Sequence, residues 1–322
     1  MKASLLSYLM SAILAATLAV TGCGAEVAVS APATSAGADG GGSSSVRIAA
    51  WNMKWFPIGR PVLEDGDRDF KQEWKRIDSA ARFIAWQKAD LVMLEEVRDR
   101  EVCSMLCTNA ALSGWSVDAI TAFERVPDAT IPPHQNAIVS RFGAIDSGWR
   151  KWKGRDGIVP PRGFVYAVYD FGGTLCGVVG VHLKSNFIPK DAENPEALPA
   201  ENRLMREISA EELTAFAKEL MAKDYGGKKV GEVIIGGDFN TSIFDPKYDG
   251  EKTVPTMLKA GFKDCFEGVP ERDTMPETKW YPATCFDYLF ALGGAECFAP
   301  VVAPKSWTSD HQMISAMFDF GK

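Results

Sequence analysis

Short apolar runs that end in polar residues are the feature of this sequence that most constrains its fold. The runs 91–94 and 233–236 are too short for buried helices and are bounded by polar chain, a pattern typical of buried β-strands. Runs of the same kind occupy 46–51, 136–140, 163–170, 175–181, 286–291 and 313–320. Since loops at strand ends are held by a rigid scaffold, we expect the polar residues that follow these runs to meet in one site.

Two segments have helical rather than strand periodicity. Segment 70–88 has apolar residues at Phe70, Trp74, Ile77, Ala81 and Ile84. Segment 201–222 has them at Leu204, Ile208, Leu213, Phe216 and Leu220. Many strands with only a few long helices predict an α+β or α/β sandwich, with the helices packed outside the sheets.

The first 22 residues predict export. Lys2 precedes an apolar run, 5–20, that is too short for a comfortable membrane span and suits a signal-peptide core. The run ends in Val20-Thr21-Gly22-Cys23, which resembles the bacterial lipobox, in which the cysteine is acylated and becomes the new N-terminus. An ordinary cleaved signal with an incidental cysteine is the alternative. Gly24, in place of the aspartate associated with inner-membrane retention, favours the outer membrane in a Gram-negative host.

Low-complexity sequence separates this leader from the rest of the chain. Residues 23–45 are rich in Ala, Gly, Ser and Pro, which cannot bury enough apolar surface to offset ordering entropy. We predict a flexible tether over 23–45 and one domain over 46–322, anchored to the membrane through lipidated Cys23.

Cysteine and charge counts add weaker constraints. With Cys23 lipidated, six of the seven cysteines remain, an even set that permits disulfides in an oxidising compartment. Six cysteines allow about 15 pairings. The sequence favours a disulfide between Cys285 and Cys297, whereas Cys176 is equally well interpreted as a buried thiol.

The net charge of -7 excludes binding of nucleic acid by overall charge. A local basic rim such as 149–155 can nevertheless exist on a protein that is acidic overall. A solvated strand pair is the alternative interpretation of 149–155.

The polar residues after the runs include a set suited to phosphate-ester chemistry. Mg²⁺ prefers oxygen ligands, usually one or two carboxylates with waters, and Asn52 with Glu96 can supply them. Asp238 and Asn240 are two residues apart, so on an extended segment they face one ligand together. His311, with Asp287 to fix its ring, is a natural proton donor or acceptor near neutral pH. Taken singly, each of these residues could instead close a turn, cap a helix or end a strand.

The ordered combination is more specific than any one fragment. The set Asn52, Glu96, His182, Asp238, Asn240, Asp287, Asp310 and His311, in this order, resembles the endonuclease/exonuclease/phosphatase superfamily. This superfamily includes pancreatic deoxyribonuclease, abasic-site endonucleases, bacterial sphingomyelinases and inositol-polyphosphate phosphatases. The resemblance covers 46–320 and implies an α/β fold, a four-layer α/β/β/α sandwich.

The resemblance also implies roles for these residues. Asn52 and Glu96 match metal ligands, and Asp310 matches a carboxylate near a second metal position. Asp238 matches the residue that activates water, Asn240 its phosphate-binding partner, and Asp287 the carboxylate that orients His311. The implied cofactor is Mg²⁺ or Mn²⁺, with Ca²⁺ as a further candidate.

Two further residues connect the chain to the deoxyribonuclease branch. His182 matches the second catalytic histidine of the deoxyribonucleases and sphingomyelinases, and Arg162 matches a phosphate-contacting arginine. The chain departs from the pattern at His134-Gln135-Asn136, where the carboxylate that holds the second histidine is missing. Glu124 is a nearby substitute, and His134 is expected to be a loop residue without a catalytic role.

These observations lead to one expected activity and two alternatives. The expected activity is metal-dependent phosphodiester hydrolysis of the nuclease type by a monomer. A phospholipid, sphingomyelin or inositol-phosphate phosphoesterase of the same fold is the first alternative, which a membrane anchor and an apolar loop at 187–189 would suit. A binding protein without turnover is the second. Fold by itself does not choose among such substrates.

Overall fold

The computed structural model describes residues 45–60, 68–124, 134–270, 272–279 and 282–321. The predicted leader, Cys23 and nearly all of the predicted tether lie outside these residues. In the described ranges, no helix has both the length and the apolar character needed to cross a membrane.

Two β-sheets form the centre of the fold. The strands are β1 (Ser45–Phe56), β2 (Leu91–Val97), β3 (Ser116–Ile120), β4 (Gln135–Ser140), β5 (Asp146–Lys151), β6 (Gly163–Phe171), β7 (Thr174–His182), β8 (Asp224–Tyr225), β9 (Lys228–Asp238), β10 (Lys263–Asp264), β11 (Asp287–Leu292), β12 (Glu296–Val302) and β13 (Ile314–Asp319). Within the described residues, the first sheet has six strands in the order β12-β13-β1-β2-β4-β3. The second has seven, in the order β10-β11-β9-β7-β6-β5 with β8 paired to β9. The helices are α1 (Phe70–Trp86), α2 (Arg100–Cys107), α3 (Leu198–Ala222) and α4 (Thr253–Lys259).

The alternation of side chains along the strands builds three apolar layers. Ile48 and Ala50 of β1 point between the sheets, where they join Val165 and Val178 of the other sheet. Their neighbours on the opposite face of the first sheet pack against α1 and α2, and the outer face of the second sheet packs against α3 and α4. This confirms the predicted four-layer α/β/β/α sandwich.

The predicted helix is confirmed as α1, but not all of its apolar residues are buried. Phe70 and Trp74 are 65% and 56% exposed, whereas Ile77, Ala81 and Ile84 are buried as expected. Glu73 is buried instead, with Arg68 2.9 Å and Arg98 2.7 Å from its carboxylate oxygens. The helix can bury the Glu73 carboxylate because two guanidinium groups pair with it.

Strand register brings the predicted polar residues together. Asp238, at the end of β9, lies opposite Asp287 of antiparallel β11 and opposite His182 of parallel β7. In the other sheet, Asn52 of β1 pairs in register with Glu95 of β2. The strand ends that carry the predicted site residues therefore lie at the same edge of the sandwich in both sheets.

Gly237 allows the sheets to approach each other at this edge. Its φ is 136°, and a Cβ there would collide with the Val181 carbonyl oxygen and lie 2.9 Å from Glu95 Oε1. We expect Gly237→Ala to lower the free energy of unfolding by about 2–4 kcal/mol, because the backbone conformation and the space are both unfavourable. Urea unfolding measures this change. Gly226→Ala is the control, because its φ is also positive but nothing lies within 4 Å; an equal loss in both variants would contradict the steric argument.

The described cysteines do not form the disulfide that the sequence favoured. All six described cysteines are free thiols. Cys297 lies against Cys265 in the core between the sheets, and contact with the Cys297 thiol together with burial raises the pKa of Cys265. The Cys285 thiol instead lies 3.9 Å from the Asp287 carbonyl oxygen. The structure therefore does not place Cys285 against Cys297.

Candidate active site

Asp238 is the centre of the site. Its Oδ1 accepts a hydrogen bond from the Asn240 backbone N–H at 2.8 Å, and its Oδ2 accepts one from Asn52 Nδ2 at 3.0 Å. The same Oδ2 lies 3.6 Å from His182 Nε2 and 3.8 Å from His311 Nε2. Burial raises the pKa of Asp238 to about 7; Asp287 adds to the shift, while the charge of His311 opposes it. An acid poised near neutrality between two histidines is suited to proton transfer.

Glu96 and Asn52 lie side by side next to Asp238. Asn52 Nδ2 donates to Glu96 Oε1 at 3.2 Å, and the Trp55 backbone N–H donates to Glu96 Oε2 at 3.0 Å. Although burial opposes ionisation, hydrogen bonds from His134 and Asn52 keep the pKa of Glu96 below its usual value. The carboxylate is therefore ionised and faces the site.

Irregular backbone conformations orient the side chains of Asn52 and Glu96. β1 and β2 lose register between Asn52 and Phe56, and Lys54, Trp55 and Glu96 all have positive φ, between 46° and 57°. The left-handed region is unfavourable for residues other than glycine. Such strain concentrates at functional sites, where the surrounding contacts maintain it.

His311 is held by a buried carboxylate. Its Nδ1 lies 2.8 Å from Asp287 Oδ2, and the Thr274 hydroxyl donates to the same oxygen at 2.5 Å. Burial lowers the pKa of the ring, but the charges of Asp287, Asp238 and Asp310 outweigh this effect and raise the pKa of His311 to about 10. The ring is consequently an imidazolium at neutral pH, with Nε2–H directed towards Asp238.

His182 has the opposite electrostatic environment. Burial and the nearby Arg162 guanidinium lower its pKa well below the ordinary value, so the ring is neutral. Arg162 Nε and Nη2 donate to the carbonyl oxygens of His182 and Leu183 at 3.1 and 2.6 Å. The structure therefore shows Arg162 supporting the end of β7, and its predicted contact with substrate phosphate stays a prediction.

The remaining predicted residues lie at the edge of this group. Asn240 Nδ2 donates to the Leu183 carbonyl at 3.3 Å, which ties the ends of β9 and β7 together. Asp310 is paired with Lys54, whose Nζ lies 2.7 Å from Asp310 Oδ2. Every predicted site residue thus lies at the same edge of the sandwich, while their chemical roles stay predictions.

Several contributors were not identified from the sequence. His134 Nδ1 lies 3.4 Å from Glu96 Oε2, so the histidine expected to be a simple loop residue is part of the site. Thr274 and Lys54 also belong to it. The Ser309 hydroxyl donates to the Asn52 carbonyl at 2.6 Å and accepts from the His311 N–H at 3.0 Å. Among these, only Ser309 carried a sequence signal, its place directly before Asp310-His311.

Glu95 lies beneath the site as an unsatisfied carboxyl group. It is fully buried, and neither carboxyl oxygen has a hydrogen-bond partner in the described part of the chain. Burial, followed by the charges of Asp287, Asp238 and Glu96, raises its pKa well above the usual value of 4.5. Its burial therefore costs stability wherever the unfolded chain would ionise it.

Glu95→Gln is expected to stabilise the fold. A carboxyl group whose pKa rises on folding is harmless below the unfolded pKa of 4.5 and destabilises increasingly as the pH rises above it. We expect a gain in the free energy of unfolding of about 1–3 kcal/mol near pH 8 and almost none near pH 4. Urea unfolding in EDTA at both pH values measures it, with exposed Glu193→Gln as the control. A gain independent of pH would contradict the electrostatic explanation.

The donor set fits a divalent cation. Glu95, Asp238 and Asp287 are buried acids, and Glu96, whose side chain is 16% exposed, adds a fourth carboxyl group beside them. Within the described residues, no three His, Cys, Asp or Glu side chains form a ready-made cage. A carboxylate with an amide oxygen is nevertheless a common protein contribution to Mg²⁺, which keeps several of its waters. Asn52 and Glu96 are the residues that fit this role.

Comparison with known proteins agrees with this architecture. No protein-family model and no curated protein matches the sequence. A solved endonuclease/exonuclease/phosphatase from Beutenbergia cavernae is similar with a TM-score of 0.57 and 17% identity, over 86% of this chain and 72% of that chain. A family protein from Leptotrichia buccalis has a TM-score of 0.54 and 15% identity, over 85% and 100%.

A neighbour with a named activity has the same architecture. The mannosyl-6-phosphatase of Bacteroides thetaiotaomicron has a TM-score of 0.53 and 17% identity, over 85% of this chain and all of that chain. Identities this low establish shared architecture rather than shared substrate. The resemblance read from the ordered motif set is confirmed at this level: the chain has the fold of the endonuclease/exonuclease/phosphatase family.

Proposed function

We propose that this chain is a divalent-metal-dependent phosphodiesterase that hydrolyses its substrate by in-line attack of water. The observation that carries the proposal is the position of the Asp238 carboxylate, 3.6 and 3.8 Å from the Nε2 atoms of two histidines in opposite protonation states. Environments that push the pKa values of neighbouring groups apart separate acid from base roles.

Asp238 is the proposed base. Its pKa of about 7 leaves a substantial ionised fraction at neutral pH and allows it to take a proton from water. Asn240 and Asn52 fix both carboxylate oxygens by hydrogen bonds, so the proton-accepting atom is held in one orientation.

His311 is the proposed donor to developing negative charge. Asp287 occupies its Nδ1, which leaves Nε2–H free to donate to a phosphoryl or leaving oxygen. His182, neutral and 3.6 Å from the same Asp238 oxygen, is positioned to contribute a second hydrogen bond. Asn240 is the proposed phosphate-binding amide, and Arg162 the proposed phosphate-binding arginine.

Asn52 and Glu96 would hold the cation. A bound Mg²⁺ or Mn²⁺ would neutralise charge on the phosphoryl oxygens and help to orient the ester. The ionised Glu96 carboxylate, with the Asn52 amide 3.2 Å from its Oε1, supports this assignment.

Nucleic acid is the proposed substrate class, because Arg162 together with His182 resembles the deoxyribonuclease pattern. The basic stretch 149–155 adds less than its sequence suggests, because Arg150 and Arg155 are ion-paired with Glu219 and Glu211 of α3. Phe187, 63% exposed shortly after His182, favours a phospholipid as the alternative substrate. The structural neighbours include a mannosyl-6-phosphatase, so a sugar phosphate belongs among the substrates tested.

A substrate panel tests the proposed function. Purified full-length protein is incubated with plasmid DNA, RNA, sphingomyelin, a sugar phosphate and bis-p-nitrophenyl phosphate, with Mg²⁺ or Mn²⁺. We expect cleavage of a phosphodiester that EDTA abolishes and added metal restores. Activity that survives EDTA, or no turnover on any substrate by folded, metal-bound protein, would argue for a metal-independent enzyme or a binding protein.

We also propose that the protein is exported and lipid-anchored through Cys23. The lipobox-like sequence before Cys23 supports this proposal. Palmitate labelling in a Gram-negative host, with Cys23→Ser as the control, tests it; equal labelling of both proteins would contradict the anchor.

A further inference from the structure

Lys54 connects two residues that resemble metal ligands. Its Nζ lies 2.7 Å from Asp310 Oδ2, and its backbone N–H donates to Asn52 Oδ1 at 3.0 Å. The two paired side chains are 43% and 31% exposed, so the ion pair lies at the open mouth of the site.

The backbone around Lys54 is built to keep this position. Lys54 and the following Trp55 have φ values of 46° and 48°, in the left-handed region that disfavours side chains. The Trp55 N–H donates to Glu96 Oε2 at 3.0 Å, and the Trp55 carbonyl accepts from the Gly59 N–H at 2.8 Å. These bonds at both ends of the peptide maintain the turn that directs Lys54 towards Asp310.

The surroundings of Asp310 are cationic. Besides Lys54, the Arg76 guanidinium interacts electrostatically with Asp310, and so does the ring of His311. A divalent ion at Asp310 would face the repulsion of the Lys54 ammonium, 2.7 Å from Asp310 Oδ2. Among the described residues, Glu96 has no ion pair with a lysine or arginine; it accepts hydrogen bonds from the uncharged Asn52 amide and the Trp55 N–H, and His134 Nδ1 lies 3.4 Å away. The two carboxylates are therefore not equivalent as cation sites.

From this difference we infer that the site works with a single divalent ion, held at Asn52 and Glu96, and that the Lys54 ammonium supplies the positive charge at Asp310 where a second ion would bind. The inference rests on the proposed function and specifies its metal stoichiometry. In this arrangement Lys54 is an additional substrate-contacting residue, because a flexible ammonium beside Asp310 can donate to a phosphoryl oxygen without leaving the site.

Metal stoichiometry tests the inference independently of turnover. Mn²⁺ is titrated into full-length protein and followed by electron paramagnetic resonance, which measures free Mn²⁺ directly. We expect one bound ion per chain for the unaltered protein and for Lys54→Arg. Lys54→Met should gain a second, weaker site, and the double variant Lys54→Met/Asp310→Asn should return to one.

Activity provides a second readout. At low Mn²⁺, Lys54→Met should lower kcat/KM on the order of 10- to 100-fold, as for loss of one charge-stabilising group. High Mn²⁺ should restore part of this loss in Lys54→Met but not in the double variant. Lys247→Met, at an exposed lysine packed on Tyr248, is the matched control and should leave both readouts unchanged.

The outcomes separate this inference from the proposed function. Two ions bound to the unaltered protein, or only one bound to folded Lys54→Met, would overturn the role of Lys54 and leave the metal-dependent activity standing. Failure of the unaltered protein to bind any Mn²⁺ would overturn both. Circular dichroism of each variant shows whether it is folded.

Discussion

Asp238→Asn is expected to lower kcat by about 10²- to 10⁴-fold, the range for loss of a general base. The substitution leaves the side chain the same size, so the hydrogen bond from the Asn240 N–H can be retained. The amide that replaces Oδ2 would face Asn52 Nδ2, donor against donor, and it has no basic lone pair for a water proton. Initial rates at saturating substrate and Mg²⁺ measure the effect.

The fold of this variant should be intact. Replacing a buried carboxyl group whose pKa is already raised removes an unfavourable charge, so thermal unfolding should change little or improve. Asp249→Asn, an exposed aspartate on the loop that follows β9, is the matched control and should keep full activity. If Asp238→Asn retained a tenth or more of the original kcat, Asp238 would not be the base.

Asp287→Asn should change the pH dependence of the reaction. A donor histidine must be protonated, so activity is lost as the pH rises through its pKa; Asp238 must be ionised, so activity appears as the pH rises through about 7. The charge of Asp287 is the main factor that raises the pKa of His311 to about 10 against the effect of burial. Without it, we expect the alkaline limb to move down towards 6.5, the ordinary value for histidine, and the maximal rate to fall about 10²- to 10³-fold.

Profiles of kcat/KM against pH, measured with Mg²⁺, test this expectation. The amide oxygen of the introduced asparagine can still accept from His311 Nδ1–H and from Thr274, so the substitution removes charge with little change in geometry. Thr274→Val is the control, because it removes a neutral hydrogen bond and leaves the charge; its alkaline limb should not move down. An unchanged alkaline limb in Asp287→Asn would exclude His311 as the group that titrates there.

The sequence predicted most of the buried strands, because each contains a short apolar run bounded by polar residues. β2, β6, β7 and β9 begin and end within a few residues of expectation or extend the predicted run. β12 was not predicted, and β5 was anticipated only by the alternative of a solvated strand pair at 149–155. These edge strands are half-exposed and lack a strong apolar pattern. Helix α2 was missed because its eight residues are too few for a clear helical period.

The local pattern also predicted α1 only in part. Its helical periodicity was recognised in part from Phe70 and Trp74, yet both are exposed, whereas Glu73 is buried. A sequence pattern treats an acidic residue as exposed. Only the two arginines that approach Glu73 from outside the helix make its burial favourable.

What the sequence by itself determined is the set of residues that gather at one edge of the sandwich. Asn52, Glu96, His182 and Asp238 follow predicted apolar runs and His311 precedes one, and strand ends in a layered fold converge. What only the tertiary structure decided is the charge state and partner of each residue. The Lys54–Asp310 pair joins positions 256 residues apart, Arg162 is bound to backbone carbonyls, and His134 reaches Glu96. Such pairings depend on distances of a few ångströms between residues far apart in the sequence, which no local pattern encodes.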